Sequence, residues 1–191
     1  ELTYTDFKIP DEQEFGEKYE AFPMRKHVLQ PYYRPTENRW KTEEKFEALL
    51  DSSDNVVWWY RNGTSEPKYF GVPYYKNDDK GIEESIFYPD YIVRFTDGTL
   101  GIFDTKSGDT AKPGTTMGGS VDEKADGLQA FFRDYNEIAK LYRGGESGQK
   151  YDVTEMTGLW GGIVNMAADG HFELQGNAVT QEMGRAQLRG E

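Results

Sequence analysis

The stretch Tyr88–Gly108, YPDYIVRFTDGTLGIFDTKSG, decides the reading of this chain. Pro89-Asp90 opens a run of alternating and β-branched residues. Asp97-Gly98 supplies a turn, and a second run ends in Asp104-Thr105-Lys106. Asp-Gly between two such runs signals a β-hairpin. The expected loop is Thr96-Asp97-Gly98, a type I turn with Gly98 left-handed in a bulge. In that register Phe95 faces Thr99, Ile92 faces Ile102, and Asp90 faces Asp104. Side chains alternate along a strand, so Asp90, Asp104 and Lys106 fall on one face. A shorter loop, of two residues, would put Asp104 on the face opposite Asp90.

Directly opposed carboxylates repel, and a like-charge pair across two strands is destabilising. Either one aspartate sits in solvent or a cation compensates. Lys106 supplies one positive charge. A divalent ion would supply more: Mg²⁺ prefers oxygen ligands and retains waters, so Asp90, Asp104 and the backbone carbonyl of Thr105 would suit it. Such a layout suits attack of water on a phosphodiester. A surface ion pair is the plain alternative for Asp104 and Lys106. It leaves unexplained why charges follow Ile102-Phe103 within one strand.

Composition narrows the classes. The chain has 191 residues, 36% of them hydrophobic and 15% aromatic, which fits a single domain with an aromatic-rich core. It lacks cysteine, which excludes a disulfide framework and a thiolate zinc site. His27 and His171 stand far apart, which argues against a zinc-hydrolase cluster and a Ser-His-Asp triad. No apolar run reaches membrane-spanning length and no signal-peptide pattern opens the chain, so a cytoplasmic location without membrane contact is expected. The chain opens at Glu1 instead of methionine and is expected to be a fragment of a larger protein. The net charge of −12 counts against nucleic acid as a partner, because phosphate binding leaves a basic footprint. A metal site nevertheless needs acidic residues, and a fragment can leave most DNA affinity to other domains.

Along the chain, residues 1–40 read as a polar, irregular arm packed on the core. A helix is expected from Trp40 to Leu50, where Trp40, Glu43, Phe46, Glu47 and Leu50 recur at spacings of three and four. Val56–Tyr60 reads as a strand, Tyr69–Tyr75 as another interrupted by Pro73, and Asn77–Glu84 as a polar loop. After the hairpin, Asp109–Ser120 reads as a flexible loop. Val121–Tyr142 is the strongest helix, with the stripe Leu128, Phe131, Phe132, Tyr135, Ile138, Ala139 and Tyr142, stopped by Gly144-Gly145. Leu159–Met166 reads as a buried strand. A short strand at His171–Leu174 and a helix near Thr180–Leu188 finish the chain. Gly144–Lys150 lacks the spacing of a phosphate loop and reads as a turn. Trp58, Trp59, Tyr60 and Phe131 read as core. The expected class is α/β: a mixed sheet flanked by helices, in the order helix-strand-strand-strand-helix-strand. The strand at Gly101–Lys106 should cross through the long helix to a parallel, right-handed partner at Gly161.

This order, with Pro89-Asp90 and Asp104-Thr105-Lys106, resembles the PD-(D/E)xK nuclease superfamily. More narrowly, it resembles the C-terminal endonuclease domain of type III restriction enzymes and their helicase-linked relatives. The matching pieces are Glu43 to Leu50, Asn55 to Asn62, Tyr88-Pro89-Asp90, Asp97-Gly98, Asp104 to Gly108, Lys124 with Leu128-Gln129, and Gly161 to Val164. They span residues 40–166. The resemblance implies a restriction-endonuclease-like core at 41–166, with the arm before it and a C-terminal strand and helix at 167–191. It also implies a magnesium- or manganese-dependent hydrolase of DNA and, in the parent protein, a helicase/ATPase motor.

The resemblance further implies roles. Asp90 and Asp104 would hold the metal. Lys106 would orient or deprotonate water and stabilise charge on phosphate. Glu43 would be the outer acidic residue, although Glu44 and Glu47 are rivals on the same helix. Lys124 and Gln129 fall where relatives place auxiliary polar groups, and Lys112 lies in the loop beside the site as a DNA contact. For Lys124, a snorkelling lysine is the alternative to a phosphate contact; lysine is poorly placed at the positive end of a helix. A structural role suits Gln129. A catalytically silent nucleic-acid-binding or assembly module with the same fold is the rival to an enzyme.

Overall fold

The computed structural model describes residues 9–37, 40–63, 69–78, 80–106, 121–143, 158–167, 169–176 and 178–189. Among the described residues the elements run β1 (Tyr19–Phe22), β2 (Tyr32–Pro35), α1 (Lys41–Ser52), β3 (Val56–Arg61), β4 (Val72–Asp78), β5 (Gly81–Phe87), β6 (Tyr91–Phe95), β7 (Leu100–Lys106), α2 (Val121–Arg143), β8 (Leu159–Met166), β9 (Phe172–Gln175) and α3 (Ala178–Gly184). A π-helical turn at Arg185–Arg189 extends α3. The main sheet has five strands in the order β3-β6-β7-β8-β9. Only β7 and β8 run parallel, joined through α2. The result is a mixed sheet flanked by helices.

Alternation along the strands builds two cores. Tyr91, Val93, Phe95 and Phe103 turn to one face and pack with Phe46 and Leu50 of α1. Ile92 and Ile102 turn to the other face and pack with Val121, Ala125, Leu128 and Phe132 of α2. The α2 stripe is buried at Leu128 and Phe132, with Phe131 and Tyr135 partly covered. Trp59 and Tyr60 are fully buried, as a core reading requires.

The β6–β7 hairpin has the expected register. Ile92 pairs with Ile102 and Tyr91 with Phe103. The Phe95 N–H donates to the Thr99 carbonyl, and the Gly98 N–H to the Phe95 carbonyl. Gly98 has φ 88°, the left-handed conformation the bulge needs. Gly161 is required for a different reason: at φ 143°, a Cβ there would lie 1.9 Å from the Ile102 carbonyl oxygen of the neighbouring strand.

Several expectations are corrected. Trp40 is not part of the helical core stripe; it precedes α1 and is 63% exposed. The segment Asn77–Glu84 is not a polar loop. It belongs to an antiparallel β4–β5 hairpin in which Tyr75 pairs with Glu84. Its polarity reflects an exposed two-stranded ribbon, with only Val72, Tyr74 and Phe87 turned to the α2 core. This ribbon is a separate sheet, and the strand of residues 69–75 begins only at Val72. The arm is not wholly irregular, because β1 and β2 pair with each other. The loop at 109–120, the turn at 144–150 and Lys112 lie outside the described residues. Among the described residues, no helix is long and apolar enough to cross a membrane.

Candidate functional site

The hairpin register places Asp90, one residue before β6, opposite Asp104 in β7. Asp90 is anchored by the residue after Asp104: the Thr105 N–H donates to Asp90 Oδ2 at 2.7 Å and the Thr105 hydroxyl at 2.6 Å. Asp104 is buried, with 3% exposure. Lys106 Nζ lies 2.5 Å from Asp104 Oδ2. The Lys106 ammonium is thus the partner of this buried oxygen, and no second hydrogen-bond donor reaches it among the described residues. Burial first, and then the Asp90 charge, push the Asp104 carboxyl up to about 7, against the pull of Lys106 and Lys124. Burial works against the Lys106 ammonium, but Asp104, Asp90 and Glu43 outweigh it and hold its pKa above the ordinary value.

Lys124, in the first turn of α2, belongs electrostatically to the same cluster. Burial lowers its pKa, and Lys106 lowers it further, while Asp104 and Asp90 pull the other way. Its Nζ stands 5.9 Å from the centre of the Phe87 ring. The ammonium of Lys124 therefore stands over an aromatic ring while its charge acts on the aspartates. Gln129 donates through Nε2 to the Gly161 carbonyl at 3.2 Å, tying α2 to β8.

Glu43 approaches the cluster from α1. Burial raises its pKa and the Asp90 charge raises it too, whereas Arg61 lowers it. Its Oε2 accepts from Arg61 Nη2 at 2.8 Å. Its rival Glu47 is turned inward, 3% exposed. Glu47 Oε1 accepts from the Tyr32 hydroxyl at 2.8 Å, the Tyr91 hydroxyl at 3.0 Å and Arg61 Nη1 at 2.9 Å. Sequence reasoning did not find this network. Arg61 closes the apolar run Val56–Tyr60 and reads there as a strand end. The helical spacing of Glu43 and Glu47 was the one available signal. Glu44, the other rival, is exposed.

The structure thus joins Asp90, Asp104, Thr105 and Lys106 by direct contacts, and the charges of Glu43 and Lys124 act on them. Among the described residues, no three histidine or acidic side chains gather closely enough to hold a metal ion by themselves. The Asp90/Asp104 pair fits a divalent cation in a different respect: two carboxylates oppose each other across the hairpin, Asp104 is buried, and one ammonium stands against them. The histidines stand elsewhere. Burial lowers the His27 pKa to about 4, its Nε2 accepts the Arg61 N–H, and Nδ1 meets the Leu29 carbonyl. His171 is exposed beside Asp169 and Glu173. No family model, no curated protein and no solved structure matches this chain.

Proposed function

We propose that this chain is a metal-dependent nuclease domain with a restriction-endonuclease-like core. It hydrolyses DNA phosphodiester bonds as the nuclease part of a restriction or helicase-linked protein. The observation that supports this reading is the opposition of Asp90 to a buried Asp104, with a single ammonium, Lys106, against the pair. Two such charges are stable together only when a cation compensates them. Lys106 compensates one.

Asp90 and Asp104 would hold Mg²⁺ or Mn²⁺, with the Thr105 carbonyl nearby and Glu43 at the outer position. The ion supplies acidified water and neutralises charge on the phosphate. Thr105 keeps Asp90 pointed at its partner through two hydrogen bonds. Lys106 would orient or help deprotonate the attacking water and hold positive charge against the reacting phosphate. Lys124 adds a second, weaker cation. Release of Lys106 from Asp104 on metal binding would free it for the phosphate.

The test is cleavage of plasmid and single-stranded DNA with Mg²⁺ or Mn²⁺, using Asp104→Ala as control. Metal-dependent cleavage lost in the variant is the expected result. A second reading, a silent nucleic-acid-binding or assembly module, is favoured by the existing Lys106–Asp104 ion pair, which balances one charge without metal. Metal binding without cleavage of either substrate would support it instead.

A further inference from the structure

One charged cluster is left unused by this reading. Arg61 ends β3 and pairs with Tyr91 in the sheet, next to Asp90 in sequence. Its guanidinium spreads over two carboxylates on α1. Nη2 holds Glu43 Oε2 and Nη1 holds Glu47 Oε1. Glu47 is further gripped by the Tyr32 and Tyr91 hydroxyls. The network therefore ties α1, β2, β3 and β6 together around one cation.

Glu47 alone would account for a structural arginine, but Glu43 needs separate explanation. Only one of its oxygens is held, and Arg61 is the donor among the described residues. Its charge acts on both Asp90 and Lys106. A glutamate with a long side chain would otherwise sample several rotamers. A planar fork that binds two carboxylates at once fixes it, and an ammonium cannot reproduce that geometry.

We propose that Arg61 is a positioning residue for the cation site: it sets Glu43 beside Asp90 so that Glu43 acts on the metal or its water. The proposal rests on the nuclease reading of Asp90 and Asp104. It adds that metal affinity depends on a residue in direct contact with neither aspartate. Outer partners of metal ligands typically contribute 10–100-fold to affinity.

The experiment is titration of the purified chain with Mn²⁺, following free Mn²⁺ by its paramagnetic resonance signal, with far-UV circular dichroism to check folding. The variants are Arg61→Lys, Glu43→Gln, the double variant and Asp104→Ala. Arg61→Lys and Glu43→Gln should each weaken Mn²⁺ binding by about tenfold or more. The double variant should bind no more weakly than Glu43→Gln alone, because Arg61 acts only through Glu43. A folded Arg61→Lys with wild-type Mn²⁺ affinity, or additive losses in the double variant, overturns the proposal and leaves the nuclease reading standing. Mn²⁺ binding that is absent in the wild type, or unchanged in Asp104→Ala, overturns the nuclease reading and this proposal with it. Should Arg61→Lys not fold, Glu47→Gln carries the test. It preserves an acceptor for the tyrosines while loosening one arm of the arginine. Several-fold weaker Mn²⁺ binding supports the positioning role, and unchanged affinity overturns it.

Discussion

Two carboxylate pairs lie at the same end of the sheet and are treated in opposite ways. Glu43 and Glu47 share one guanidinium, and Glu47 takes three donors on a single oxygen. Asp90 and Asp104 face each other with one ammonium, Lys106, in contact with the buried Asp104 carboxylate. The first pair is complete within the protein. The second has a single ammonium to set against two carboxylates, and burial with the Asp90 charge raises the Asp104 carboxyl to about 7. Buried ionised groups are tolerated when paired and hydrogen-bonded, and strained pairs concentrate where chemistry is done.

The contrast breaks most visibly through Glu47→Ala. That change strips Arg61 of one partner and leaves the hydroxyls of Tyr32 and the fully buried Tyr91 without their acceptor. Breaking a buried pair in this way costs about 3–5 kcal/mol. Chemical denaturation should show a loss of that size. A loss below about 1 kcal/mol would mean that the network is no more than a surface ion pair.

The aspartate pair should respond to added metal, where the glutamate pair does not. Mn²⁺ at a hundredfold excess over its dissociation constant should raise stability by about 2.7 kcal/mol. Asp90→Asn or Asp104→Asn should abolish the gain, as read by thermal unfolding with and without chelator. A gain preserved in both variants would locate the metal elsewhere.

Without metal, Asp104 should make stability depend on pH. Its carboxyl is raised from 3.8 to about 7 in the folded chain. The unfolded chain releases that proton near pH 4 while the folded chain still holds it. Between those values the folded state binds more protons, so this group's contribution to stability falls as pH rises. Asp104→Asn should flatten the slope of unfolding free energy against pH from 4 to 7. An unaltered slope would show that another group carries it.

The hairpin was legible in the sequence because its information is local. Asp97-Gly98 fixes the loop, the loop fixes the register, and the register sets Asp90 against Asp104. The helices Lys41–Ser52 and Val121–Arg143 and the strand Leu159–Met166 were legible from periodicity and an unbroken apolar run. The β4–β5 ribbon was missed because only one of its faces packs, so Glu83, Glu84 and Asn77 resemble a loop. Trp40 continued the helical spacing on paper but is the extended residue that precedes α1, largely exposed. The Arg61 network was invisible for another reason. Its members come from four elements, and nothing in any one segment marks them as neighbours.

The smallest expected effect concerns Lys124, which tests whether the open pair draws on α2 as well as on its own strand. Lys124 sits in the first turn of a helix beside Asp122 and Glu123, where a positive charge opposes the helix dipole. Lys124→Met keeps a long unbranched side chain and removes the ammonium that stands over Phe87. Relief at the helix end should favour the variant by about 0.3–1 kcal/mol. Loss of attraction to Asp104 and Asp90 should act against it, so the net change in stability should stay below about 1 kcal/mol. Cleavage should fall several-fold, in contrast to its abolition in Lys106→Met, since Lys124 lies farther from the carboxylates than a direct ion pair. The two variants are compared at saturating Mn²⁺ on the same plasmid substrate, with folding checked by thermal unfolding. Equal losses would place both lysines against the phosphate. An undiminished rate in Lys124→Met would confine the working charges to the hairpin and leave Lys124 as a lysine whose ammonium stands over Phe87.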